Sequence, residues 1–231
     1  MQTSSLPPFK EGRKARGVGA RARRFVFQCL LGALMMLLVL PAAAQQDKKK
    51  DPALEKYFNA NGLFNRKLYP LAAEEYEDFL KTYKDHPKTT DVQFGLGLSY
   101  YGMKKFDAAA PLLKKLAGDK NSPRALLVHL YLGNSLRELK KPVEAESVFK
   151  DGLSIKGGAE NAQLRKGLLE CLFDQKKWKQ VIPEAEKLAG QAGAVGVRAS
   201  YQGGIARFEQ GDFKEAAQVL EVLKGKVKGN E

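Results

Sequence analysis

The chain has 231 residues, 39 Lys and Arg against 26 Asp and Glu, two histidines and two cysteines. That length suits one large or two small domains. Two histidines leave little for metal or acid–base chemistry, and the formal net charge of +13 points toward anionic partners unless part of it is removed.

Part of it is expected to be removed. Lys10, Arg13, Lys14, Arg16, Arg21, Arg23 and Arg24 stand against a single acid, Glu11, and precede an apolar run from Phe25 to Leu40 broken only by Gln28 and Gly32. Pro41 and Ala42-Ala43-Ala44 follow, then polar Gln45. A basic segment, an apolar segment and small residues before a polar stretch make a secretory signal over residues 1–44, cleaved after Ala44. The competing reading is an uncleaved anchor, since the sixteen residues 25–40 approach the length that spans a thin bilayer. Cys29 lies at the start of the apolar run, away from the cleavage point, so lipid attachment there is disfavoured. Cleavage removes seven basic residues and one acid and lowers the net charge to +7. The expected location is the periplasm or cell envelope. Cys171 is then the only cysteine, without an internal disulfide partner, and is expected to be buried and inert.

Residues 45–52 read as a polar linker. Asp51-Pro52 is a helix start, with Asp capping free amides and Pro tolerated in the first turn, and Ser122-Pro123 repeats that signal. From Asp51 onward helix follows helix, and no alternating β-branched run suggests a strand, so the class is all-α. Five bulky or rigid residues punctuate this region: Tyr69, Phe106, Pro142, Trp178 and Phe213, separated by 37, 36, 36 and 35 residues. Nine positions before these markers lie Ala60, Gly97, Gly133, Leu169 and Gly204. Three after lie Ala72, Ala109, Ala145, Val181 and Ala216, and seven after lie Tyr76, Leu113, Phe149, Ala185 and Leu220. The spacing predicts antiparallel helix pairs that approach where small side chains face one another, with large neighbours filling the surround. A unit of about 35 residues cannot cover its own apolar surface and must stack on the next. The expected units are 53–87, 88–121, 122–157, 158–193 and 194–228, within an array spanning 53–231.

Leu96-Gly97-Leu98-Ser99-Tyr100-Tyr101 with Phe106-Asp107-Ala108-Ala109, and Leu132-Gly133-Asn134 with Glu144-Ala145, resemble tetratricopeptide repeats. The resemblance extends over residues 53 to about 225 and implies a right-handed α-α superhelix of about five helix pairs. Tyr76 to Lys81 and Asp85-His86-Pro87 are similar to repeats of bacterial envelope-assembly proteins.

Catalytic patterns are missing. His86 falls between units and His129 inside a first helix, and neither belongs to a cluster with metal-ligand spacing. Gly157-Gly158 and Gly203-Gly204 lack the Lys-Ser/Thr context of a phosphate loop and read as a break between units and a packing site. Glu74-Glu75 and Glu184/Glu186 are helix-surface acids near lysines. The expectation is a non-enzyme with no metal and no cofactor.

Function is expected on the face lined by the first helices. Residues twelve, eight and five before each marker form one helical stripe: Tyr57, Asn61, Phe64; Phe94, Leu98, Tyr101; Leu130, Asn134, Arg137; Lys166, Glu170, Phe173; Tyr201, Ile205, Phe208. The resemblance implies that this stripe faces a concave groove. Its aromatics suit a peptide or helix ligand, and Asn134 and Arg137 suit a ligand's backbone or carboxylate. The lysine-based carboxylate clamp of chaperone-binding relatives is not reproduced, because Tyr57 and Phe94 stand where lysine would help. A second candidate is a basic edge of Lys104, Lys105, Lys140, Lys141, Lys176 and Lys177, with Lys67 in the first unit, facing an anionic membrane surface or an acidic partner; the alternative is a solvated rim. Nucleic acid is not an expected partner of an exported protein.

The sequence therefore reads as an envelope scaffold or assembly adaptor that binds a protein or peptide ligand. Two other readings stay open. One is a regulatory or substrate-presenting module of a longer enzyme. The other is a self-associating component that dimerises through the last helix, whose apolar set is Phe213, Val219, Leu220 and Leu223.

Overall fold

The computed structural model describes residues 51–158 and 161–228, the side chains of 225–228 excepted. The expected signal, its cleavage point and residues 45–50 of the linker lie outside the described residues. Ten helices and no strand are present among those residues: α1 Pro52–Asn65, α2 Tyr69–Thr82, α3 Thr89–Gly102, α4 Phe106–Ala117, α5 Ala125–Glu138, α6 Pro142–Ser154, α7 Ala162–Asp174, α8 Trp178–Ala189, α9 Ala194–Gln210 and α10 Phe213–Lys228. Each helix packs against the next in sequence, giving five antiparallel pairs stacked as an α-α solenoid. All five markers are the first residue of a second helix.

Helix starts follow local chemistry with one correction. Asp51 caps α1, its Oδ1 accepting from Ala53 N at 2.9 Å and Leu54 N at 3.4 Å. Ser122-Pro123 does not begin α5. Ala125 N donates to the Ser122 carbonyl at 2.9 Å, and Arg124 N donates to Ser122 Oγ at 3.3 Å, so Ser122 closes a turn and the helix starts at Ala125.

The turn inside each pair is the same five times. The residue two before the marker takes a left-handed conformation, with φ of 61° at Lys67, 60° at Lys104, 59° at Lys140, 55° at Lys176 and 88° at Gly211. Its amide and the following amide reach back to the end of the first helix. In the second pair Lys104 N donates to Tyr101 O and Lys105 N to Tyr100 O, both at 2.9 Å, and equivalent bonds recur in the other four. This double closure satisfies carbonyls that the helix end leaves free. Glycine fits the position without a Cβ penalty, whereas four of the five units use lysine and accept about 1 kcal/mol of local strain.

The packing between helices differs from the small-on-small contact expected. The glycine nine before the marker meets the large side chain seven after it: a Cβ at Gly97 would lie 3.2 Å from Leu113, one at Gly133 2.6 Å from the Phe149 ring, one at Gly204 2.7 Å from Leu220. In two units the large residue also inserts into the following unit. Gly167 closes on Phe149 from α7, and Gly95 closes on Tyr76 from α3. Phe149 and Tyr76 are thus wedges held between two first helices, and small residues clear their path. Where the fourth unit has Leu169 in the small site, the wedge position is Ala185, and both are buried in one core, so the volumes are exchanged between partners.

Two outcomes test this account. Gly133→Ala gains helix propensity worth about 1 kcal/mol yet is expected to destabilise by about 1–2 kcal/mol net in urea titration, because Phe149 is enclosed on both sides. Lys104→Gly or Lys140→Gly is expected to stabilise by about 0.5–1 kcal/mol; a destabilised variant would mean the lysine is held by contacts outside the turn.

Candidate functional site

The layer that can bind is set by which helices touch. Each first helix packs on the first helix of the next unit, α1 on α3, α3 on α5, α5 on α7 and α7 on α9, whereas no second helix touches another second helix among the described residues. The layer in closer contact is the inner one of a curved stack, so the first helices line the concave side.

Along that layer the predicted stripe is used in several ways. Phe64 and Tyr101 lie in an open cavity of about 500 Å³ that is also lined by Tyr69, Leu98, Phe106, Tyr131, Glu138 and the basic-edge Lys104. Tyr101 stacks edge-on with Phe106 at 5.5 Å and Tyr131 at 5.0 Å, and burial, then the nearby Tyr131 and Glu138, raises its phenol pKa. The next cavity, about 210 Å³ and predominantly polar, is lined by Tyr101 again together with Asn134, Arg137, Gln163, Lys166 and Glu170. Tyr101 therefore joins an aromatic half of the groove to a polar half.

Other stripe residues are committed elsewhere. Asn61 accepts a 2.5 Å hydrogen bond from the Tyr76 hydroxyl, whose pKa burial pushes up to about 12. Tyr57 lies beneath the Lys88 ammonium and Phe94 beneath the Arg124 guanidinium, each 5.5 Å from the ring centroid. Asp91 holds both cations, and although burial opposes its ionisation, their hydrogen bonds keep its pKa below the usual value. Phe173 stacks on Trp178, and Phe64 and Phe208 stack likewise on Tyr69 and Phe213, so the ring five before the marker braces the turn in four of the five units. Tyr201 and Phe208 remain exposed at the far end.

Arg137 is not a free cation. It pairs with Glu170 at 2.5 Å and Asp174 at 3.8 Å, and Glu170 is also approached by Lys166 at 4.0 Å and Arg198 at 3.4 Å. The polar cavity is lined by two cations, Arg137 and Lys166, and two carboxylates, Glu138 and Glu170, so its formal charges cancel and it can offer directed hydrogen bonds more readily than net charge. Sequence reasoning placed Glu170 on the stripe without anticipating this role, and it passed over Tyr131 and Glu138. Tyr131 lies eleven before its marker, where α3 and α7 carry glycine; an aromatic at that position is the signal that was available.

The two histidines have hydrogen-bond partners, and Cys171 is a buried free thiol. His86 Nε2 and Asp51 Oδ2 are 3.1 Å apart, Lys88 N donates to His86 Nδ1 at 3.1 Å, and buried His129 has Nδ1 2.8 Å from Ala125 O. Burial pushes the Cys171 thiol up to about 12, so it is no nucleophile. No group of three potential metal-ligating acids, histidines or cysteines occurs among the described residues.

The basic edge carries less free charge than the sequence suggests. Lys104, Lys105, Lys140 and Lys176 are exposed without an ion pair among the described residues. Lys141 pairs with Glu144 at 3.6 Å, and Lys177 reaches across to Glu146 at 2.7 Å. Glu146 is buried, which would raise its pKa, but hydrogen bonds from Lys150, Lys177 and Gln175 bring it down to about 2. Lys177 therefore ties the fourth unit to the third.

Comparison with known proteins agrees with this geometry. The sequence profile described as tetratricopeptide repeat matches residues 59–123 and, overlapping them, 94–160. No curated protein matches the chain. Among solved structures, a MamA protein superposes with TM-score 0.65 at 17% identity over 76% of this chain and 92% of its own. MamA from Desulfovibrio magneticus RS-1 gives 0.63 at 13% over 78% and 98%, and Pseudomonas aeruginosa PilF gives 0.61 at 21% over 90% and 93%. At these identities the likeness carries the fold.

The Glu146 network sets a pH test. A carboxyl held below its unfolded value of 4.5 contributes stability that is complete above that value and is lost as pH falls toward 2. The stability difference between wild type and Glu146→Gln is expected to be constant from pH 7 to 5 and to shrink below pH 4.5 in urea titrations; a difference unchanged down to pH 3 contradicts the assignment.

Proposed function

We propose that this chain, whose residues 59–160 match the tetratricopeptide repeat family, is a non-catalytic scaffold that holds a peptide or helix of a partner protein in its concave groove. The observation that carries the reading is the continuous tract from the aromatic cavity at Phe64, Tyr101 and Tyr131 into the polar cavity at Asn134, Arg137 and Lys166. A ligand that buries a bulky apolar side chain in the first half and hydrogen-bonds its backbone in the second fits both. Aromatic walls that are already braced lose little entropy on binding, which favours affinity at a small interface.

The location belongs to the same proposal. The basic, apolar and small-residue pattern of residues 1–44 supports export, and no helix among the described residues is long and apolar enough to cross a membrane. The groove is favoured over the basic edge because two of its six lysines are engaged by carboxylates.

Site-specific photo-crosslinking in the native cell tests the groove. A photoreactive residue at Leu98 in the full chain is expected to capture a protein, whereas one at Lys114, exposed on α4, is not. Tyr101→Ala should reduce the Leu98 adduct about tenfold or more while circular dichroism remains helical. Equal capture at both positions, or capture insensitive to Tyr101→Ala, would count against groove binding.

A further inference from the structure

Tyr101 and Glu138 are the two residues that line both groove cavities. Glu138, the last residue of α5, is exposed and makes no hydrogen bond or ion pair among the described residues. The other carboxylate of the tract, Glu170, is already held by Arg137 and Arg198. Burial, then Tyr131 and Glu138, raises the Tyr101 phenol pKa, so the free carboxylate lies close to that ring. On its aromatic side the junction opens into the cavity walled by five rings, where Tyr101 contacts Phe106 and Tyr131, and Phe64 contacts Tyr69. No cation stands over any of these rings among the described residues.

Elsewhere in the same layer the combination is complete. Arg124 of the third unit lies over the Phe94 ring of the second at 5.5 Å and is held by Asp91. Lys88 of the second unit lies over Tyr57 of the first, also at 5.5 Å, and is held by the same Asp91. Ring and carboxylate thus receive a cation from the following unit at both places. At Tyr101 the rings and the carboxylate are present, and the chain supplies no cation. A guanidinium suits such a place better than an ammonium, because it can stack on a ring and fork a carboxylate at once while its apolar stem packs against the wall.

We propose that the junction at Tyr101 and Glu138 takes an arginine side chain of the partner peptide, its guanidinium resting against Tyr101 and Tyr131 and pairing with Glu138. This rests on the groove reading and adds a charge to it: the bulky apolar residue sits toward Phe64 and Leu98, and the arginine follows it toward the polar cavity. Lys104 lines the same cavity without an ion pair and is the local opposing charge. The net positive charge of the whole chain repels cations at long range, so a preference for arginine has to arise at the junction itself.

The probes are two fluorescein-labelled, C-terminally amidated peptides, Leu-Ala-Arg-Ala and its counterpart with citrulline, which keeps the shape of arginine and removes the charge. Titrated by anisotropy into the full chain, the arginine peptide is expected to bind about threefold or more tightly than the citrulline peptide. Glu138→Gln should erase that difference, and Lys104→Gln should widen it, with circular dichroism unchanged in both variants. Equal binding of the two peptides, absence of binding by either, or a difference that survives Glu138→Gln overturns the proposal. So does a lysine peptide that binds as tightly as the arginine one. Capture at Leu98 that depends on Tyr101, while the two peptides bind equally, removes the arginine site and leaves groove binding standing.

Discussion

The structure depends on one repeated contact, the side chain seven residues into a second helix seated against the first helix of its own pair and, at Tyr76 and Phe149, against the first helix of the next. Phe149 shows it most fully, with Gly133 on one side and Gly167 on the other. Because the wedge touches its own unit and the next, the packing that closes a pair also joins that pair to its neighbour. Volumes on the two sides are therefore coupled: a ring is matched by glycines, as at Tyr76 and Gly95, and a smaller wedge such as Ala185 by a larger wall such as Leu169.

The turns and the groove inherit their order from this contact. With the helix pairs fixed, the left-handed residue before each second helix closes the first helix, and an aromatic from the stripe leans on the marker to brace that closure. Several rings that look like ligand-binding groups in a one-dimensional stripe are consequently parts of the frame. What remains accessible is concentrated around Tyr101, where an aromatic cavity meets a polar one whose formal charges cancel. Recognition by such a surface rests on shape and directed hydrogen bonds, with little long-range attraction.

At the first unit α1 exposes Glu55 and Asn59, with Phe58 exposed between them, where later first helices carry buried residues, and at the fifth unit Tyr201 and Phe208 are exposed.

Much of this was legible in the sequence. The five markers fell on the first residues of second helices because ring size and spacing are one-dimensional properties, and the stripe followed from helical periodicity alone. The lysine pairs were visible too, but their backbone role was not: that Lys104, Lys140 and Lys176 adopt φ near +60° follows from closing a helix end, which composition does not report. Likewise Arg137 reads as a ligand-binding cation until Glu170 and Asp174, more than thirty residues away in sequence, are brought against it. The sequence by itself determined the helical class, the repeat length and the side of each helix that faces inward, since these depend on residue size at fixed intervals. Which small residue receives which large one and which charges are already paired were decided only in three dimensions, because each depends on contacts between units that no local pattern encodes.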